Sequence, residues 1–208
     1  MPVSADAGEG YVPPPVGMKT SILYRDLDYN DFFRLEIDVI SNGPDYALMR
    51  LREFDTLIGK RISYEDFFVE FAGYFLHYCE AGVDLPGSET RQKAIDFWPL
   101  EVGASTELET GYGAWRYDVD RKDTIQIGTD GPTDVMVVKG TDLNDTESYS
   151  ETLYLSAKTR SVVRVEYADW GEETAYMVRQ TNDSDELTDM EIEQMGSCAA
   201  LLAPDNIK

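Results

Sequence analysis

The sequence predicts a mainly β chain built as an antiparallel sheet or barrel. Three observations carry this. Apolar and polar residues alternate in short runs, the period of a half-buried strand. Turn chemistry separates the runs at regular spacing, with no long helical pattern between them. Two Val-Gly units, Pro14-Pro15-Val16-Gly17 and Phe97-Trp98-Pro99-Leu100-Glu101-Val102-Gly103, each open such a run, over residues 19–25 and 105–110. Proline suits the entry to an edge strand and glycine the bend after it. These are either two unrelated turns or one sheet-starting unit used twice. In the second unit Trp98 and Leu100 are expected to be buried, with Gly103 beginning a strand that runs through Leu108.

Residues 1–13 read as a loose, acidic, Gly/Pro-rich lead-in, 14–181 as one antiparallel β domain, and 182–208 as an acidic tail with a short helix. The clearest element is a hairpin. Phe33, Leu35, Ile37 and Val39 alternate with Arg34, Glu36 and Asp38, so the first set is expected buried and the second exposed. Asn42-Gly43-Pro44-Asp45 supplies the turn. The return strand, 46–54, sets Ala47, Met49 and Leu51 against Arg50 and Arg52.

Residues 62–80 fit two readings equally. As a helix, Ser63 and Asp66 form an N-terminal capping signature and the aromatics line one stripe, leaving Glu65, Glu70, His77 and Glu80 in water. As strands, Phe67, Val69 and Phe71 alternate, Gly73 breaks the run, and 74–79 continues it. Residues 83–90 read as a loop, and 91–96 lead into the second Val-Gly unit. Beyond it, 115–119 and 124–127 read as strands around a polar turn at 120–123. A Gly/Pro turn at 128–133, a strand at 135–139 and an acidic loop at 140–148 follow. A second hairpin pairs 150–157 with 162–170, and 174–180 joins it. Thr188 caps a short final helix from Asp189 to about Leu202.

The second Val-Gly unit, together with Tyr154-Leu155-Ser156 and Ser161-Val162-Val163-Arg164-Val165-Glu166-Tyr167, resembles a group of bacterial envelope proteins of unknown function. The resemblance covers roughly 97–180 and, more faintly, 14–54. It implies a curved antiparallel sheet like the half-barrels that handle lipoproteins and lipids in the periplasm. It also implies a secreted location, with a signal peptide already removed ahead of Met1, and it tips 62–80 towards strands. The acidic loop 140–148 and the tail after Thr181 fall outside it.

Composition narrows the partners. At 208 residues with 42% hydrophobic content, 3 Trp, 13 Tyr and 8 Phe, the chain has material for a real core. Forty acidic side chains against 18 basic ones give a net charge of −22. Such a surface repels phosphate backbones and anionic headgroups, so no nucleic-acid partner is expected. No apolar run is long enough to span a bilayer. The start, Met1-Pro2-Val3-Ser4-Ala5-Asp6, has neither the basic nor the apolar region of a signal peptide, so the expectation is either a cytosolic protein or one whose signal peptide has been trimmed.

Catalytic signals are sparse. His77 is the single histidine, with Glu80 its one nearby carboxylate by sequence. Neither a Gly-x-Ser-x-Gly elbow nor a Gly-rich phosphate loop occurs. Acidic clusters at Asp118, Asp120 and Asp123, and at Asp142, Asn144, Asp145 and Glu147, offer hard oxygens but lack the glycine of a calcium loop. The expectation is a protein that is not an enzyme, with no metal and no cofactor. Its aromatics are the better lead: Trp98, Trp115, Tyr154, Phe71 and Phe75 are the candidate ligand-binding residues, as groove or as plain core. Cys79 and Cys198 pair in an oxidising compartment and are ordinary thiols in the cytosol. The expected role is to bind a lipid, an acyl chain or a protein partner in the concavity of the sheet. The alternative is an assembly subunit that meets other chains through its sheet edges, and an enzyme is the third reading.

Overall fold

The computed structural model describes residues 10–26, 31–55, 61–80, 82–110, 113–127, 131–144, 150–156, 161–167, 171–180 and 187–202. Eleven strands run through them: β1 (Met18–Asp26), β2 (Asp31–Asn42), β3 (Tyr46–Asp55), β4 (Arg61–Phe71), β5 (Phe75–Tyr78), β6 (Ser105–Thr110), β7 (Gly113–Gln126), β8 (Pro132–Asp142), β9 (Ser150–Ser156), β10 (Ser161–Tyr167) and β11 (Gly171–Gln180). All pair antiparallel in one sheet of order β5-β4-β3-β2-β1-β11-β10-β9-β8-β7-β6. The two ends of the domain therefore meet in the middle, where Met18 lies opposite Gln180 and Asp26 opposite Gly171. The sheet is curved and does not close, because β5 and β6 stay at opposite edges.

Both Val-Gly units are turns with glycine in the left-handed region, φ 82° at Gly17 and 90° at Gly103. Each delivers the chain into its strand, so the strand of the second unit starts at Ser105, two residues later than the sequence suggested. Leu100 is buried and Trp98 half-buried. Residues 62–80 are strands. The break falls at Ala72-Gly73, both with positive φ, and Tyr74 N–H closes the turn on the Phe71 carbonyl. That two-residue turn suits the twist of a hairpin, which a helix through Gly73 would forfeit.

Three expectations change. The supposed turn at 120–123 is a β-bulge between Val119 and Arg121, so one strand, β7, replaces two. Gly140 belongs to β8, which runs on to Asp142. Residues 88–96, read as loop and lead-in, form helix α1 (Ser88–Asp96). Its sequence is rich in good helix formers, but only Ala94 is buried, so it lacks the apolar stripe that reveals a helix. The hairpin turn at 42–45 stands as read. Trp170 and residues 181–186 lie outside the described residues, as do Asp145 and Glu147.

The tip of the β4–β5 hairpin fills one end of the curved sheet. Tyr74 packs edge-on against Tyr117 at 5.0 Å and Phe97 at 5.5 Å between ring centres, and donates to the Ala94 carbonyl at 3.1 Å. Phe71 and Phe75 join it, with Leu100, Leu108, Val138 and Leu155 around them. The C-terminal segment lies on the face of β2–β4 that carries Leu48, Phe67 and Val69, and joins the same core through Met195, Cys198 and Leu202. Thr188 caps α2 (Asp189–Gln194) with a reciprocal capping box, its hydroxyl accepting from Glu191 N–H while Glu191 accepts from Thr188 N–H. A 3₁₀ turn, Gly196–Leu201, follows. It is bonded to Cys79 through Cys198, with Cα atoms 5.7 Å apart and 119 residues between them in sequence.

This tail overturns one expectation about the first hairpin. Leu35 and Val39 are buried and Ile37 is half-buried; the side chain of Phe33 lies outside the described part. Asp38, expected in water, is buried at 3% exposure, and Arg34 and Glu36 are only partly exposed. Asp38 sits opposite Arg50 and forms ion pairs with Arg50, Arg52 and Lys19, while Arg50 also reaches Glu191 of α2 at 3.2 Å. A strand with both faces covered cannot keep its polar residues in solvent, so it pairs them.

Candidate functional site

The concave face of the sheet holds the candidate site. Period-2 alternation turns Ile37 and Val39 of β2, Met49 and Leu51 of β3, and Phe68 of β4 to one side. Met18 and Thr20 extend that side across β1, and Leu76 and Tyr78 extend it across β5. Leu153 of β9 and Val162 and Val165 of β10 face them from the other half of the sheet. Between lies an apolar cavity of about 80 Å³. Its free space equals that of roughly three waters in the liquid, small beside the several hundred Å³ of sites for whole organic ligands. The cavity reaches the surface beside Tyr78, which is exposed.

One charged residue type interrupts this apolar wall on β4. Glu70 lines the cavity yet is only 4% exposed, and its Oε1 finds no hydrogen-bond partner among the described residues. Burial pushes its carboxyl up to about 8, opposed by the Val162 backbone N–H, so it is mostly uncharged at neutral pH. The helix reading of 62–80 had placed Glu70 in water. The signal was there in Phe67-Phe68-Val69-Glu70-Phe71, a lone carboxylate amid apolar residues. Its meaning depended on β10, about 90 residues downstream, which sequence periodicity cannot bring near.

The residues singled out from sequence sit elsewhere. Phe71 and Phe75 are fully buried in the hairpin plug, their rings 5.7 Å apart. Trp98 donates from its indole to the Ala72 carbonyl at 2.8 Å and packs on Tyr11. Trp115 stacks on Tyr117 at 6.2 Å. Tyr154 is buried in a separate cluster with Val137 and Val163, and donates to Glu166 at 2.9 Å. None of the five lines the concave cavity; Phe71 and Phe75 sit in one core cluster with Trp98 and Trp115 packed against it, while Tyr154 lies apart.

His77 is fully buried; burial lowers its pKa while Glu80 raises it. The acidic clusters are engaged locally. Asp120 pairs with Arg121 and Lys139, Asp118 with Arg116 and Asp123 with Arg121, while Asp142 accepts from Asn144. No group of acidic, histidine or cysteine side chains with the arrangement of a metal site occurs among the described residues. No described helix is long and apolar enough to cross a membrane.

No protein-family model matches the chain, and neither does any curated protein sequence. Solved structures resemble it at low identity. A Bacteroides fragilis protein described as exported, with a YmcC-like fold, is similar over 82% of this chain and 99% of its own, at 11% identity and a TM-score of 0.47. A Parabacteroides distasonis protein described as a lipoprotein is similar over 82% and 99%, at 9% identity and a TM-score of 0.45. MucB in complex with MucA matches over 81% of this chain and 52% of its own, at 15% identity and a TM-score of 0.41. These likenesses are too distant for any residue's role to transfer from them.

Proposed function

We propose that this protein is a non-catalytic binding module of the periplasm or the extracellular space. It holds an apolar group, from a lipid or acyl chain or from a protein partner, in the concavity of its sheet. The observation that carries this reading is the apolar cavity between β1–β5 and β9–β10. Its present volume takes a short apolar group, and a full acyl chain requires the open edges of the sheet to part. The compartment is supported by the Cys79–Cys198 disulfide, which leaves no free cysteine in the chain. Disulfides persist in oxidising compartments and are rare in the cytosol.

Assembly through sheet edges is the weaker reading. On β6 the exposed Glu107 and Glu109 are charges of the kind that blunt edge-to-edge pairing. A catalytic role for His77 draws no support from a ring without solvent contact.

The test is native mass spectrometry of the protein purified from its own source. The expected result is a mass added to the folded chain that is released as an apolar small molecule or partner peptide on denaturation. A bare chain from cells, with nothing lost on denaturation, counts against the reading.

A further inference from the structure

We propose that Glu70 is the selecting group of the concave cavity, donating a hydrogen bond from Oε1 to the carbonyl of an uncharged, otherwise aliphatic ligand. The inference rests on the binding-module reading and names the ligand class that the site takes.

Buried polar atoms are almost always paired, and an exception calls for a specific partner. Glu70 is such an exception: nine-tenths buried, aimed into an apolar cavity, with Oε1 unpaired among the described residues. Its surroundings decide what can pair with it. Ala47 lies opposite it on β3 and Leu76 opposite it on β5, with Phe68 and its partner Met49 the next pair along that face. From β10 comes the Val162 backbone N–H, and Val165 adds only apolar surface. The remaining titratable groups of the cavity wall are Tyr78, Glu151, Arg164 and Tyr167. Arg164 is held by Glu166 at 2.6 Å and lies over the Tyr154 ring, so its charge is committed elsewhere. Tyr11, beyond the wall, has its own pKa raised chiefly by burial and then by Glu70 and Asp45.

Among the described residues of the cavity wall no cation is left over to pair with it, so the carboxyl is mostly uncharged and Oε1 becomes a donor. An ester, amide or ketone carbonyl satisfies that donor without bringing a charge into the cavity. A carboxylate ligand meets Glu151 and the net charge of −22. An amine must ionise Glu70 against its burial. The neutral acceptor is the match that costs least.

The test uses 2-heptanone, n-heptane, heptylamine and heptanoate as probes of the whole chain, read by the ¹³C-methyl signals of Met18 and Met49, both in the cavity wall. The expected result is that 2-heptanone shifts both signals and binds the parent more tightly than heptylamine or heptanoate. Glu70→Leu weakens 2-heptanone about tenfold, the worth of one buried hydrogen bond, and leaves n-heptane unchanged. Glu70→Gln, which keeps a donor and the side-chain shape, retains 2-heptanone within about threefold. Equal binding of 2-heptanone and n-heptane by parent and Glu70→Leu overturns the selecting role while the apolar site survives. Tightest binding by heptylamine, lost in Glu70→Gln, overturns it in favour of a cation site. If no probe moves Met18 or Met49, the apolar binding site itself fails, and the role of Glu70 with it.

Discussion

The backbone N–H of Gly103 donates to the carbonyl of Val119 at 2.8 Å, and the same bond recurs between Gly17 and Val39 at 2.9 Å. The match extends further. Met18 N–H returns to Pro15 and Ala104 N–H to Glu101, and each accepting valine sits at a β-bulge. The two Val-Gly units are thus one device used twice: a turn that bonds to the second strand of its half and so fixes the register of the first. A one-residue slip would turn the core face of β1 or β6 to water.

Gly103→Ala tests how much that turn depends on glycine. A Cβ there meets nothing within 4 Å, so the cost is that of holding alanine at φ 90°. The expected loss is about 1–2 kcal/mol in urea unfolding. A loss near zero would mean that the turn relaxes and the register is held by the strands alone.

The buried charges on the first hairpin give a second prediction. Arg50→Met removes the partner that joins Asp38 to Glu191, leaving Asp38 with Arg52 and Lys19. The expected cost is about 2–4 kcal/mol, since removing one member strands the rest in a poorly solvated site. Adding Asp38→Asn should recover part of the loss. A double variant that is merely the sum of the singles would show that the two residues do not interact energetically.

The tail supplies a third. Besides the disulfide, the Arg50–Glu191 pair and the packing of Met195, it is held by Ser41 and Tyr46, which both donate to the Leu201 carbonyl, and by Ser197, which donates to the Val83 carbonyl. Replacing Cys79 and Cys198 by alanine opens a loop of 119 residues, worth about 4–5 kcal/mol in the chain-entropy model. Hydrogen exchange at 196–202 should accelerate far more than at β8. Unchanged exchange there would mean that the hydrogen bonds and Met195 packing hold the tail unaided.

What could be read ahead follows from the range of each interaction. The β2–β3 hairpin was legible because alternation and an Asn-Gly turn are local signals. The capping box at Thr188 was legible for the same reason. Residues 62–80 were not, because an aromatic-rich run satisfies both periods until something covers it. Asp38 was misjudged because α2 lies some 150 residues further along, and only its arrival makes the charged face of β2 an interior. Glu70 is the same case on the opposite face. Strand alternation told which residues share a side; it did not tell how many sides are buried.

Glu70 gives the last prediction, on stability against pH. Its carboxyl has an ordinary value of 4.5 unfolded and about 8 folded, raised by burial against the opposing Val162 N–H. A raised acid binds its proton more tightly when folded. Its contribution is therefore fully present below about pH 4.5, declines as pH rises from there through about 8, and is spent above that. Within this window the slope approaches about 1.4 kcal/mol per pH unit, for a total of several kcal/mol. Glu70→Gln has no proton to lose, so the parent and the variant should be similar near pH 4 and diverge steadily towards pH 8.5, with the variant the more stable. Other carboxylates contribute equally to both chains and cancel in the difference. Urea unfolding of the pair at pH 4, 6 and 8.5 measures it directly. A difference that stays flat across that range would place Glu70 in contact with water or a cation, and would remove the neutral donor from the cavity.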